Sequence, residues 1–164
     1  MGEKMFKHIR TTLILVILFV LSTAYAGQTP KSLAGAELVD ALAVKELAVG
    51  GALIVDPRTK MEYSEEHIRF THQGKVFEAI YLRFKDRSTN SVDFDLAKDK
   101  IKLFTIEKAT AGDKSKAMIF YCNGSSCWKS YKVVRHLKAA GYKKLYWFRG
   151  GLPAWKAKGF GTSK

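Results

Sequence analysis

The chain has 164 residues and a formal net charge of +13 at pH 7. This length is enough for one domain with a modest hydrophobic core and implies no second domain. Because the sequence has no internal repeat and no low-complexity tract, a repeat array and a low-complexity chain are also excluded.

The N-terminal segment has the three-part pattern of a secretory signal peptide. Basic residues, the last of them Arg10, precede an uncharged run over residues 11–21, and Ala24-Tyr25-Ala26 provides an A-x-A cleavage site. The uncharged run is shorter than the roughly 20 apolar residues that a membrane-spanning helix needs. We therefore predict cleavage after Ala26, with an uncleaved membrane anchor as the alternative.

Cleavage at this point leaves residues 27–164 as a single mature domain. The next residue is Gly27 and not a cysteine, so lipid attachment in the manner of bacterial lipoproteins is not expected. We predict that the mature protein is periplasmic and soluble, with no stable membrane association.

Short apolar runs alternate with amphipathic segments along the rest of the chain. The sequence predicts strands over residues 52–55, 79–82, 118–121 and 145–148. It predicts helices over residues 36–47, 95–108, 127–140 and 152–158. This alternation is typical of an α/β fold with a parallel sheet, in which ligands bind beyond the carboxyl ends of the strands.

Cys122 stands at such a strand end. It follows the apolar run over residues 118–121, and the loop Asn123-Gly124-Ser125-Ser126 separates it from Cys127, where the next predicted helix begins. The main-chain N–H groups of such a loop and the positive end of a helix dipole stabilise anions, including a thiolate. Cys122 is therefore a candidate nucleophile.

Cys122 and Cys127 are the only cysteines of the chain, and an exported protein could join them in a structural disulfide. A bridge between residues five apart in the sequence closes a small loop and constrains the unfolded chain little. We therefore favour a reactive or redox role. A metal site is not expected, since no histidine stands near them at ligand spacing, and no cofactor is predicted.

Charge is distributed unevenly along the mature chain. Residues 114–164 contain twelve Lys or Arg residues and no Asp or Glu, whereas residues 27–113 contain thirteen basic and fourteen acidic residues. These lysines are scattered and not striped with aromatic residues, and an exported protein rarely meets nucleic acid, so no nucleic acid partner is expected. The basic half is either a solvated surface or steers small anions, or an acidic protein partner, toward Cys122.

Three separated motifs resemble those of the rhodanese family. They are Leu53-Ile54-Val55-Asp56-Pro57-Arg58, the loop from Cys122 to Cys127, and Trp147-Phe148-Arg149-Gly150-Gly151-Leu152-Pro153-Ala154-Trp155 with its Gly-Gly-x-x-x-Trp pattern. The resemblance covers residues 32–160. The amino-acid sequence of the loop is similar to that of exported, single-domain bacterial rhodaneses. It implies a rhodanese-like doubly wound parallel sheet with helices on both faces.

The resemblance also implies a reaction. Cys122 would attack the outer sulfur of a donor such as thiosulfate, become a persulfide, and pass that sulfur to an acceptor thiol or cyanide. The loop amides can stabilise first the thiolate and then the persulfide anion, so no external base is needed. The predicted active-site loop around Cys122 consists of Asn123, Gly124, Ser125, Ser126 and Cys127.

Two cations complete the predicted site. The loops of thiosulfate sulfurtransferases often hold arginine or lysine, but residues 123–126 are neutral here, so Lys129 in the first helical turn is the candidate for the missing charge. Arg58 and Arg149 follow strand ends and could line the mouth of the site. Alternatively, Arg149 could pair with Asp56 and tie adjacent loops. We include Arg58 and Lys129 among the predicted substrate-binding residues.

Loop length bears on the substrate class. Related phosphatases and arsenate reductases have a longer loop that ends in arginine, at the place where Trp128 stands in this chain. Phosphatase activity is therefore not expected.

The sequence is compatible with three functions. The leading one is a periplasmic sulfurtransferase that moves sulfane sulfur from a small anionic donor to a thiol or cyanide acceptor. The second is a thiol-disulfide redox protein that cycles Cys122 and Cys127 between dithiol and disulfide. The third is a non-catalytic rhodanese-fold binding module whose basic face docks an acidic protein partner.

Overall fold

The computed structural model describes residues 27–85 and 97–163. Its helices are α1 (Ala41–Val49), α2 (Lys60–Glu65), α3 (Leu103–Thr110), α4 (Trp128–Ala139) and α5 (Gly151–Ala157). Its strands are β1 (Glu37–Leu38), β2 (Leu53–Asp56), β3 (His67–His72), β4 (Lys75–Glu78), β5 (Ile80–Tyr81), β6 (Phe84–Lys85), β7 (Lys100–Ile101), β8 (Met118–Tyr121), β9 (Leu145–Phe148) and β10 (Thr162–Ser163). The predicted signal peptide, residues 1–26, lies outside the described residues. Within the described part, no helix has the length and apolar character needed to cross a membrane.

A five-stranded sheet organises the domain, with the strand order β1-β9-β8-β2-β5. Every neighbouring pair in it is parallel, so the carboxyl ends of the strands meet at one edge. Asp56 ends β2, Cys122 follows β8 and Arg149 follows β9. The three motifs singled out from the sequence therefore converge at this edge.

Successive residues of β8 serve opposite faces of the sheet. Ile119 and Tyr121 join a core formed with α1, α5 and β3, whereas Met118 and Phe120 join a second core formed with α3 and α4. Phe120 is in register with Val55 of β2, which belongs to the same second core. Because both faces are covered, all four residues of β8 are fully buried, as expected for a strand in a parallel sheet. The predicted α/β fold with helices on both faces is confirmed.

The first helix begins later than the sequence predicts. Residues 37 and 38 form β1, which pairs with β9, and α1 starts only after Asp40. The Asp40 side chain accepts a hydrogen bond from the N–H of Ala43 at 2.9 Å. Asp is one of the preferred N-cap residues, so this local signal outweighs the amphipathic pattern of the residues before it.

Two hairpins were not predicted. Strands β3 and β4 pair antiparallel around a turn at Gln73-Gly74, where both residues have positive φ angles. Strands β6 and β7 form the second hairpin, so the helix predicted over residues 95–108 is wrong in its first part and α3 covers only Leu103–Thr110. Residues 95 and 96 lie outside the described residues. Both hairpins are partly exposed. Their strands are too short for the alternation of apolar and polar residues to identify them in the sequence.

Candidate active site

Cys122 lies at the carboxyl end of β8, where the parallel sheet places its ligand-binding edge. Its side chain is almost entirely buried, whereas Cys127, the N-cap residue of α4, is half-buried. A disulfide joins the two, with their Cα atoms 6.0 Å apart. In this state the candidate nucleophile has no free thiol, so any reaction with a sulfur donor begins from the reduced protein.

The loop between the two cysteines offers unpaired main-chain donors. Among residues 27–85 and 97–163, no hydrogen-bond acceptor is found for the main-chain N–H groups of Asn123, Gly124, Ser125 or Ser126. The side chain of Cys127 makes no capping hydrogen bond at the start of α4, which leaves the positive end of that helix uncompensated there. Main-chain N–H groups arranged in this way can bind an anion.

Gly151 allows α5 to approach this loop closely. The Leu152 N–H donates a 2.9 Å hydrogen bond to the Cys122 carbonyl oxygen. A Cβ atom on Gly151 would lie 2.1 Å from that oxygen and 2.7 Å from the Gly124 nitrogen, and Gly151 has a φ of +60°. The second glycine of the Gly-Gly motif is therefore required for the helix to support the loop, and Gly124, with a φ of +113°, adopts a conformation that also favours glycine.

A buried ionic network supports the strand ends beneath the loop. Arg58 donates to both carboxylate oxygens of Asp56, and the Tyr121 hydroxyl donates to Asp56 Oδ2 at 2.6 Å. Burial alone would lower the pKa of Arg58, but its hydrogen bonds and charge interaction with Asp56 raise it. Burial and the neighbouring Asp56 charge raise the pKa of Tyr121. Arg58 therefore stays charged and Tyr121 stays a hydrogen-bond donor.

The guanidinium of Arg58 contacts the active-site loop through the side chain of Asn123 and is not exposed to solvent. Its Nη1 donates to Asn123 Oδ1 at 3.0 Å and its Nη2 donates to the Glu66 carbonyl oxygen at 2.6 Å, and the side chain is only 4% exposed. The predicted substrate-binding role of Arg58 therefore changes to a positioning role. Each guanidinium nitrogen of Arg58 donates to a protein acceptor. The charge of Arg58 therefore has little access to a ligand.

Glu62 is a contributor to the site that the sequence did not single out. It accepts a hydrogen bond from Nδ2 of Asn123, and its carboxylate also forms a capping box with Thr59 at the start of α2. Burial alone would raise the pKa of Glu62, but the hydrogen bonds from Thr59 and Asn123 and the charge of Arg58 lower it. The Thr-x-x-Glu spacing of a capping box was the signal in the sequence that could have indicated this helix start.

Arg149 does not pair with Asp56, because Arg58 occupies that carboxylate. Arg149 instead donates from Nε to Thr29 Oγ1 at 3.1 Å and from Nη2 to the Thr29 carbonyl oxygen at 2.8 Å. Thr29, in turn, donates from both its N–H and its hydroxyl to the carbonyl oxygen of Ser125, each at 2.8 Å. The segment that follows the predicted cleavage point therefore holds the middle of the active-site loop.

Lys129 lies in the first turn of α4, but its ammonium group points to a neighbouring hairpin. Its Nζ is 5.8 Å from the centre of the Phe84 ring in β6. Four exposed basic residues of the same region, Arg83, Lys85, Lys100 and Lys102, line a surface pocket of about 400 Å³. We call these four residues the basic hairpin. Positive charge beside Lys129 thus comes from the basic hairpin as well as from the basic C-terminal half.

Tyr121→Phe is expected to lower the free energy of unfolding by about 1–3 kcal/mol, because it leaves the Ile68 N–H, which donates to the Tyr121 hydroxyl at 3.2 Å, buried without an acceptor. Tyr146→Phe on β9 is the matched control, since Tyr146 is only half-buried and its hydroxyl has no hydrogen-bond partner among the residues described. Denaturant midpoints of the two variants compare the effects. Equal midpoints would show that the buried network does not stabilise the strand ends.

Comparison with known proteins identifies the fold. The model of the family described as "Rhodanese-like domain" matches residues 37–158. Within the described residues, no group of three or more His, Cys, Asp or Glu side chains is arranged to hold a metal ion. Comparison with curated proteins found no match.

Several solved structures are similar to this one. The thiosulfate sulfurtransferase of Pseudomonas aeruginosa is 20% identical, with a TM-score of 0.53 over 78% of this chain and 20% of its own. The BH2092 protein of Bacillus halodurans is 21% identical, with a TM-score of 0.52 over 79% of this chain and 77% of its own. The polysulfide-sulfur transferase of Wolinella succinogenes is 15% identical, with a TM-score of 0.51 over 79% of this chain and 80% of its own.

At these identities the likeness concerns the fold. The family match, by contrast, spans the parallel sheet, the Cys122 loop and the Gly150-Gly151 turn. The chain therefore belongs to the family of rhodanese-like domains.

Proposed function

We propose that this protein is a sulfurtransferase that carries sulfane sulfur as a persulfide on Cys122. The observation that carries the proposal is the position of Cys122 at the end of β8, followed by a loop whose amides have no acceptor in the described structure. Such a loop stabilises a sulfur anion in the same place before and after sulfur transfer. Two proteins of similar fold are named as transferases of sulfur, which supports this reaction class.

The first half-reaction takes sulfur from an anionic donor such as thiosulfate. The Cys122 thiolate attacks the outer sulfur of thiosulfate, the sulfur-sulfur bond of the donor breaks, and sulfite leaves with the electron pair. In the second half-reaction an acceptor thiolate or cyanide attacks the outer sulfur of the persulfide, and the Cys122 thiolate is the leaving group. The loop amides require no reorganisation between the two steps, because the charge stays on sulfur next to them.

Positive charge around the loop supports an anionic donor. The chain leaves β5 where the Leu82 N–H donates to the Asp56 carbonyl oxygen, so the basic hairpin lies toward the carboxyl edge of the sheet. Lys129 lies in the first turn of α4, directly after the loop, and its Nζ is next to Phe84 of β6. We propose that these residues steer anions, or an acidic protein partner, toward Cys122.

The reaction of the reduced protein with thiosulfate is expected to slow as the salt concentration rises. Dissolved ions screen the attraction between the basic surface and the anionic donor, with a Debye length of about 8 Å at physiological ionic strength. Reaction of Cys122 with a neutral alkylating reagent should change much less. Charge removal by Lys100→Gln with Lys102→Gln should reduce the salt dependence, whereas Lys143→Gln with Lys144→Gln, at the opposite edge of the sheet, is the matched control. An identical salt response for both reagents would show that these charges have no role in approach.

We also propose that the protein acts in the periplasm after cleavage of residues 1–26. N-terminal sequencing of the protein isolated from cells is expected to begin at Gly27. Recovery of a membrane-bound product that retains residues before Gly27 would contradict this location and support the uncleaved anchor.

A redox function is the second candidate, because the structure joins Cys122 and Cys127 in a disulfide. In that function the pair exchanges electrons with other thiols and no sulfur atom is carried. The two candidates differ in their products. A sulfurtransferase releases a burst of sulfite from thiosulfate before any acceptor is added and forms thiocyanate once cyanide is present. A thiol-disulfide protein does neither, and a binding module without catalysis also does neither.

The proposal is therefore tested by quenching the reaction of prereduced protein at set times and measuring sulfite release and thiocyanate formation. We expect a sulfite burst equal to the amount of protein, followed by turnover in cyanide. Absence of both with a folded, fully reduced protein would reject the sulfurtransferase.

A further inference from the structure

The fold brings a second thiol to the sulfur of the proposed nucleophile. Cys127 is held at the start of α4 and is bonded to Cys122, with a Cα separation inside the usual disulfide range of about 4.4–6.8 Å. The persulfide mechanism uses Cys122 alone and assigns no role to Cys127.

The loop is fixed at several points, which keeps the two cysteines together in the reduced protein as well. The Cys122 carbonyl oxygen accepts from Leu152, the Ser125 carbonyl oxygen accepts from Thr29, and the Cys127 N–H donates to the Gly124 carbonyl oxygen at 3.1 Å. None of these contacts depends on the bond between the sulfur atoms. A thiol at Cys127 is therefore positioned to react with whatever Cys122 carries.

We propose that Cys127 gives the protein a second activity, the reductive release of sulfane sulfur as hydrogen sulfide; this inference rests on the Cys122 persulfide of the proposed function. The Cys127 thiolate attacks Sγ of Cys122. The bond between the two Sγ atoms forms and the bond from Cys122 Sγ to the outer sulfur breaks. The outer sulfur leaves with the electron pair and takes the proton released by the Cys127 thiol, which gives hydrosulfide. Counted from the reduced protein, two thiols are oxidised to a disulfide while one sulfane sulfur is reduced to sulfide. The disulfide of the structure is the protein product of this step.

The next cycle needs a dithiol reductant. Cys127 is half-buried and Cys122 is almost fully buried, so the first thiolate of the reductant attacks Sγ of Cys127. Cys122 is then the leaving thiolate and stays beside the loop amides that stabilise it. The second thiol of the reductant resolves the mixed disulfide and restores both protein thiols, while the reductant itself becomes a disulfide.

External acceptors and Cys127 thus compete for the same persulfide. When cyanide or a thiol acceptor is abundant, sulfur is transferred to it and the protein stays reduced. When acceptor is scarce, Cys127 removes the sulfur as sulfide and the protein stops in the disulfide form until a dithiol arrives. The neutral residues 123–126 leave the loop without a side-chain cation that could hold the persulfide against this internal attack.

The test is a single turnover without an acceptor. Wild type and Cys127→Ser are reduced, freed of reductant, and mixed with thiosulfate, with benzenethiosulfonate in parallel as a second donor. Sulfide, sulfite or sulfinate, and free thiols are then measured. Ser115→Ala is the matched control, because Ser115 is exposed and precedes β8, at the opposite end of that strand from Cys122. Circular dichroism confirms that each variant is folded, and Cys127→Ala replaces Cys127→Ser if the hydroxyl disturbs the loop.

Wild type and Ser115→Ala are expected to release one sulfide per chain and to lose both free thiols. Cys127→Ser should retain the persulfide and release sulfide at least about tenfold more slowly. A wild-type persulfide that persists as long as that of Cys127→Ser overturns this inference and leaves the sulfurtransferase intact. Failure of Cys127→Ser to form any persulfide from either donor overturns the proposed function, and this inference with it.

Discussion

Cys122→Ser is expected to abolish sulfur transfer from thiosulfate to cyanide, with a loss of about a thousandfold or more, because the variant lacks the atom that carries the sulfur. Its hydroxyl is far less nucleophilic than a thiolate and forms no persulfide. Because Cys122 is buried at the end of β8, serine is the conservative replacement that keeps the strand end packed. Thiocyanate formation, together with alkylation of persulfides, measures the loss.

Cys127→Ser is the control for this prediction. Under reducing conditions with cyanide present it should retain transfer, since the acceptor and not Cys127 removes the sulfur. In air the wild type should lose activity through the Cys122–Cys127 disulfide, reversibly on reduction, whereas Cys127→Ser cannot form that bond. If Cys127→Ser is as inactive as Cys122→Ser in reductant while folded, the one-cysteine transfer mechanism is wrong and the dithiol redox function takes its place.

Gly151→Ala is expected to reduce sulfur transfer by about a hundredfold, because a displacement of about 1 Å in a catalytic loop costs this much. The added Cβ would collide with the main chain at the Cys122 carbonyl oxygen and the Gly124 nitrogen. These are backbone atoms that cannot rotate away, so either α5 or the active-site loop must shift. The same collision should also lower the free energy of unfolding.

Gly159→Ala is the control that separates the two effects of Gly151→Ala, the steric collision of the new Cβ and the strain of a positive φ angle. Gly159 has a φ of +69°, close to that of Gly151, but a Cβ there would have nothing within 4 Å. This variant should carry only the cost of a left-handed conformation, roughly 1–2 kcal/mol, and keep its transfer rate. Equal transfer rates for the two variants would show that contact of α5 with the loop does not position Cys122.

The sequence was most informative where local pattern and topology agree. The run Met118–Tyr121 and the strand Leu145–Phe148 match the predicted bounds, because buried parallel strands are uninterrupted apolar segments. Helix α4 also lies within one residue of its prediction at each end. Since a parallel sheet places all its strand ends at one edge, the position of Cys122 relative to the Asp56 and Gly151 motifs followed from these elements alone.

The side-chain partners around the loop could not be predicted, because they join distant parts of the chain. Thr29 and Ser125 are 96 residues apart, and Arg149 reaches Thr29 across 120 residues. Arg58 and Arg149 both follow strand ends, and nothing local distinguishes the one that Asp56 binds from the one that holds Thr29. The network from Arg58 through Asn123 to Glu62 likewise depends on where α2 packs, which the sequence did not predict.

The intact mass of the reduced protein after brief reaction with thiosulfate, under conditions that do not reduce persulfides, shows directly whether Cys122 carries sulfur. Peptide mapping then locates any added mass. We expect Cys122 to gain one sulfur atom in Cys127→Ser. In wild type we expect the same species, followed by the loss of two hydrogens as the disulfide forms. A folded and reduced protein whose Cys122 never gains sulfur, from thiosulfate or from benzenethiosulfonate, would contradict the proposed sulfurtransferase function.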